Sequence, residues 1–310
     1  MMALPRWIHE TVLYNFLLLP NCSVHPSSRN LGNYRVLLCA FAIADITISL
    51  LHAVMIPVFV QAEFGFVIFG FNTLYLSEWI GYFLNGSYCV LYFEPFILLT
   101  FHFMYRLHSV VRNDSMDCSF TTRLAVGIVM NAALSFMIVT DIWLIYPEIP
   151  ENFFANVLMR EYGIDLNSHP PSNVIPVHYI HAPDYGSGPN WHSIFSMLSC
   201  GALALATIFF NATCGVLITK AVKQKTISVT FRRLQVQLLR ALVIQFSIPV
   251  AFCVIPFFII VGLPATNIVY RHTGNVMGFI VSAFPVIDPI SVILAYSRFR
   301  IVVTAKCRKP

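Results

Sequence analysis

Six apolar stretches, near residues 36–60, 79–105, 124–146, 193–219, 241–263 and 274–297, are each long enough to cross a hydrocarbon core about 30 Å thick. They are continuously apolar rather than alternating, so helices are expected and barrel strands are not. In lipid the backbone must satisfy its own N–H and C=O groups, which a helix does within the segment. Composition agrees. Hydrophobic residues make up 57% of the chain and charged residues 11%, with 27 phenylalanines, too little polar surface to cover a soluble domain. A seventh stretch within about 4–20, Trp7 to Leu19, is shorter than a span and is stopped by Pro20-Asn21. No basic n-region or small-residue cleavage site frames it as a signal peptide. The expected fold class is an all-α membrane protein, a single seven-transmembrane helix bundle over 1–310 with a short or truncated first helix.

Prolines inside the stretches, Pro57, Pro95, Pro249, Pro256, Pro285 and Pro289, each remove a helix hydrogen bond and predict kinks, as static packing features or as hinges. Basic residues in short loops stay in the cytoplasm. Sixteen of the 19 Lys and Arg residues fall in one set of alternate loops and the tail 298–310, whereas Arg160 and Arg271 fall in the opposite set. The basic side and the C-terminus are therefore expected to be cytoplasmic. The net charge of +5 is this asymmetry, and no nucleic-acid partner is implied.

The opposite side carries a long proline-rich loop, 147–192, a lid or vestibule candidate. His178 and His181 have a spacing that ligates zinc on a helix, but no Cys accompanies them and Pro176 and Pro183 flank the pair, so solvated loop histidines are expected and no metal or cofactor. Cys39, Cys89, Cys200, Cys214 and Cys253 lie in apolar spans, where a thiol acts as a small hydrophobe. Cys307, within Lys306-Cys307-Arg308-Lys309, is either a palmitoylation site held against anionic lipid or an unmodified tail thiol.

Acids inside apolar spans are costly and are functional hypotheses by default. Asp45 and Asp288 fall at similar depth, where they either share water or a cation or form an interhelical hydrogen bond. Glu94 lies about 18 Å from Arg106 along one helix, beside Pro95. With Tyr88 and Tyr92 it forms a ligand-binding candidate, the alternative being polar glue between helices. Asp141, near a span end, is expected to be solvated. Arg106, where the third span meets the basic side, either grips a neighbouring helix or partner peptide or snorkels to headgroups. The loop 220–240, with Arg232 and Arg233, is basic without an acid and suits an acidic partner surface or anionic membrane lipid.

Several segments resemble one family in order. Asn30-Leu31-Gly32-Asn33-Tyr34-Arg35 resembles the G-N-Y-[KR] motif of the Str superfamily of nematode seven-transmembrane chemoreceptors, including its Srj branch. His102-Phe103-Met104-Tyr105-Arg106 is similar to its H-F-x-Y-R at the inner end of the third helix, and Tyr162-Gly163-Ile164-Asp165-Leu166 to a piece of its outer loop. Leu234-Gln235-Val236-Gln237-Leu238, running into Ala241 and Pro249, resembles the approach to its sixth helix. Asp288-Pro289 and Phe299-Arg300 resemble the landmarks ending its seventh. Leu107, Ser297-Arg298 and Phe299 depart from the usual pattern, and the short first helix puts surface delivery in question.

The resemblance implies a chemosensory G-protein-coupled receptor in the plasma membrane of a sensory neuron. It would bind an extracellular small molecule and activate a heterotrimeric G protein, with Tyr105, Arg106, Arg232 and Arg233 at the coupling face. No Gly-rich phosphate loop, G-x-S-x-G elbow or paired-His helix motif points to an enzyme. A ligand-gated channel or transporter is the alternative, because intramembrane acids and kinked helices also serve ion pathways, though the halves show no internal repeat.

Overall fold

A computed structural model describes residues 34–111, 120–145, 152–165, 173–180, 188–224, 229–270 and 272–295. The short first segment, Cys307 and the tail lie outside these residues. Helix α1 is Tyr34–Met55, α2 Glu78–Val111, α3 Phe120–Ile145, α4 Asn152–Tyr162 and α5 Trp191–Gln224. Helix α6, Val229–Pro249, continues through a π-helical turn, Val250–Val254, into α7, Ile255–Ala265, and α8 is Thr273–Ala295.

Among the described residues four rods are long and apolar enough to cross a membrane: Trp79–Val111, Ala125–Trp143, Trp191–Gln224 and Gln235–Ala265, the last joining α6, the π turn and α7. Shorter apolar runs, Cys39–Met55 and Thr273–Asp288, come from α1 and α8. The bundle is inside out relative to a soluble one. Phe136, Phe209 and Phe279 are each about three-quarters exposed, while Asp45, Ser49, Asn211, Gln245 and Asp288 are buried. Lipid favours that arrangement, since polar groups are satisfied only among the helices. Trp79, Trp143 and Trp191 are exposed at the start of α2, the end of α3 and the start of α5, all at one end of the bundle. Indole rings favour the membrane–water interface, so they mark its level there.

At that end the structure adds something absent from the all-α expectation, a small antiparallel sheet in the order β1-β2-β3, formed by Pro57–Ala62, Gly65–Gly70 and Val174–His178. The span expected over 36–60 is thus helical only to Met55. Pro57 cannot donate to a helix ladder and disfavours helical backbone before it, and Ile56 turns out of the helix at φ 48. The loop expected over 147–192 contains α4 and β3. Likewise, the basic loop expected over 220–240 is mostly helix, because α5 runs to Gln224 and α6 starts at Val229.

Strand side chains alternate between faces. The registers Phe59↔Ile68, Gln61↔Phe66, Phe66↔Val177 and Ile68↔Ile175 put those residues on the face toward the bundle. There Phe59, Phe66, Ile175 and Val177 join one cluster with Phe93, Phe96, Cys253 and Phe284. The other face, with Val60, Ala62, Val67, Phe69 and Val174, packs on Phe154 and Leu158 of α4. The sheet is therefore a plug buried on both sides. Gly65 permits its close pairing, since a Cβ there would sit 2.4 Å from the Val177 carbonyl oxygen.

Candidate functional site

Four elements bring polar groups together within the bundle. Asp45 on α1 is 1% exposed and Asp288 on α8 is 2% exposed, and the two carboxyls lie within electrostatic reach of each other and of Cys253 in the π turn. Ser49 Oγ donates to the Asp45 carbonyl and Ser291 Oγ to the Asp288 carbonyl, each at 2.6 Å, so the hydroxyls serve their own helices and leave the carboxyls to other partners. Asp45 Oδ1 has no hydrogen-bond partner among the described residues. From α2, Tyr92 Oη donates to the Cys253 carbonyl at 2.6 Å, and Tyr88 Oη stands 3.4 Å from His52 Nδ1 of α1. A π turn breaks the regular i→i−4 ladder, which opens its backbone to a bond from an outside hydroxyl.

Tyr92→Phe removes that bond and leaves a buried carbonyl short of its donor, an expected loss of about 1 kcal/mol in stability. A fall of about 2–4 °C in the thermal midpoint of the purified protein is the expected reading. An unchanged midpoint would mean that the latch carries no weight.

Glu94 is not part of this cluster. Tyr88 and Tyr92 are one helical turn apart and share a face, but two residues further Glu94 points the other way. Its Oε1 accepts from Asn131 Nδ2 of α3 at 2.7 Å, and Ser135 Oγ donates to Asn131 Oδ1 at 3.1 Å. The expected trio is therefore divided, with Glu94 tying α2 to α3. Asp141 is buried rather than solvated. Ser199 Oγ of α5 donates to its Oδ2 at 2.5 Å, with Cys200 Sγ at 3.8 Å.

Above the cluster sits the sheet. Tyr179 Oη donates to the Val261 carbonyl of α7 at 2.9 Å, and burial pushes this phenol's pKa up, so it stays a donor. His178 is buried instead of solvated, with Nε2 3.0 Å from Asn190 Nδ2. Asn190 also caps α5, its Oδ1 accepting from the Ser193 N–H at 3.2 Å. No cluster of His, Cys, Asp or Glu able to hold a metal occurs among the described residues.

At the opposite end Arg106 is 8% exposed, and its Nη1 donates to Gln235 Oε1 of α6 at 3.4 Å. The guanidinium is thus turned into the α2–α6 seam. One turn deeper, Phe103 meets Phe246 of α6 edge to face, with ring centroids 5.8 Å apart. Tyr105 is half-buried beside Arg106, whereas Arg232 and Arg233 are exposed in the first turns of α6.

A family model described as serpentine type 7TM GPCR chemoreceptor Str matches residues 9–304 of this chain. Serpentine receptor class r-10 of Caenorhabditis briggsae is 25% identical over 283 residues, an alignment covering 88% of this chain and 80% of that protein. The Caenorhabditis elegans protein of the same name is 24% identical over 286 residues, with the same coverage of each chain.

Proposed function

Starting from the fact that this chain belongs to the Str family of serpentine seven-transmembrane chemoreceptors, a family of multi-pass membrane receptors and not of enzymes, we propose that it detects an extracellular small molecule and activates a heterotrimeric G protein. It does so in the plasma membrane of a sensory neuron. The ligand binds beneath the sheet, near Tyr88 and Tyr92. The basic end, with Arg106, Arg232, Arg233 and the C-terminus, faces the cytoplasm and meets the G protein and anionic lipid.

One observation carries this reading: the rod α6–π–α7 is held at three levels. Tyr179 bonds it at the sheet, Tyr92 at the π turn and Arg106 at the basic end. A ligand that shifts the upper two bonds biases the third through one continuous element, the physical form a coupling between distant sites takes. Pro249 and Pro256 flank the π turn and leave the rod weakest where it must bend. The Asp45–Asp288 pair lies beside that bend, where a shared proton, water or cation would respond to its movement.

The test is a screen of volatile small molecules in cells carrying a promiscuous G protein, with surface abundance followed in parallel and an epitope tag at the C-terminus. Activation is expected, with antibody reaching the tag only after permeabilisation. A ligand-evoked current without G-protein activation, or a tag reached on intact cells, would overturn the reading.

A further inference from the structure

Strand β1 carries an amide where its neighbours carry carbon. Gln61 pairs with Phe66 across the hairpin, and Phe59 stands two residues away on the same face, both rings packed into the aromatic cluster of the bundle. Gln61 is 6% exposed, and neither its Nε2 nor its Oε1 has a hydrogen-bond partner among the described residues. Tyr179, the nearby polar side chain of the sheet, has its bond to Val261. A buried amide that gives up water without a replacement destabilises the fold, and a leucine of similar bulk would carry no such penalty. Among the described residues nothing offsets that penalty for glutamine at this position.

We infer that Gln61 is the polar anchor of the ligand site, and that the ligand is an uncharged, mainly apolar small molecule bearing a carbonyl or hydroxyl oxygen that pairs with the Gln61 amide. The inference rests on the receptor reading above. An amide donates through nitrogen and accepts through oxygen, so it serves a carbonyl with Nε2 and a hydroxyl with either atom. On the sheet's inner face its cross-strand partner Phe66 and, beyond it, Val177, with Phe59, Ile68 and Ile175 in the next row, offer only carbon. Such walls suit an alkyl chain, and an ionised group there would lose its water with no opposite charge to replace it.

The test uses the full chain, Gln61→Leu and Gln61→Met, and a panel of straight-chain ketones and alcohols, the alkanes of matching length, and the corresponding amines and carboxylic acids. Without ligand, both variants are expected to melt higher than the wild type. With ligand, the ketone or alcohol that activates the wild type should lose at least about ten-fold in potency on either variant, while the matching alkane gains. A lower melting point in both variants would show that the fold itself satisfies the amide, and would overturn the inference. So would unchanged potency in the variants, or activation by amines or acids alone; in both cases the receptor reading stands. A wild type abundant at the surface yet silent to the whole panel would overturn the inference and leave the receptor reading standing, whereas a current evoked by the panel without G-protein activation would remove both.

Discussion

Arg106→Ala is expected to weaken agonist-driven G-protein activation by about five- to 150-fold while the ligand still binds, the range that coupling free energies between distant sites usually span. Arg106 lies in the seam between α2 and α6, and its Nη1 holds Gln235 from the far end of the rod that Tyr92 and Tyr179 grip. Removing the guanidinium frees that end and deletes the planar donor fork that a partner peptide's carbonyl or carboxylate groups could engage. The ligand site proposed beneath the sheet is several helical turns away, so its contacts should survive. Nucleotide exchange on a purified heterotrimer, normalised to surface receptor, gives the signalling arm, and displacement of a labelled ligand gives the binding arm. Arg106→Lys should recover only part of the loss, because a point charge cannot reproduce the fork. Binding that collapses in step with signalling, in a variant still at the surface, would contradict a switch role.

The largest effect on folding is expected from a single methyl group. Helix α8 begins against β1, and a Cβ on Gly274 would sit 1.7 Å from the Phe59 carbonyl oxygen. That neighbour is backbone in a hydrogen-bonded hairpin, so neither a rotamer change nor a small shift relieves the clash. Gly274→Ala should therefore destabilise the fold by about 3 kcal/mol or more, at the upper end of overpacking effects. Loss of surface protein and of a cooperative melt would be the readout. One turn along, a Cβ on Gly278 would find its nearest neighbours at 4.0 Å, ordinary contact. Gly278→Ala should be neutral or stabilise by up to about 1 kcal/mol through helix propensity. Similar outcomes for the two substitutions would show that α8 does not dock on β1 this closely.

Much of the bundle was legible because apolar length is a direct demand of the bilayer and survives in any single sequence. The burial and depth pairing of Asp45 with Asp288, and the place of Arg106 near the end of α2, could be read for the same reason, since rise per residue converts sequence position into depth. Rotation about a helix axis is harder to read. Tyr88, Tyr92 and Glu94 lie close in sequence, yet Glu94 faces α3 while the tyrosines face the π turn and α1. The sheet was hidden for another reason. Val58-Phe59-Val60 continues an apolar run that composition cannot divide into helix and buried strand, and only Pro57 marks the change. Gln61 has no signal of its own, because its direction depends on a register set by β2 and β3.

The two-sided burial of the sheet bears on how such receptors diversify. Adding or deleting one residue in β1 would exchange its faces, sending Val60 and Ala62 inward and Phe59 and Gln61 onto α4. If the ligand meets this wall as proposed, new chemical preferences arise there by replacing side chains at fixed length and hardly at all by insertion, a constraint that exposed loops escape. Relatives that differ in what they sense should keep the interval from Pro57 to Gly70 constant and vary the residues at the positions of Phe59, Gln61, Phe66 and Ile68.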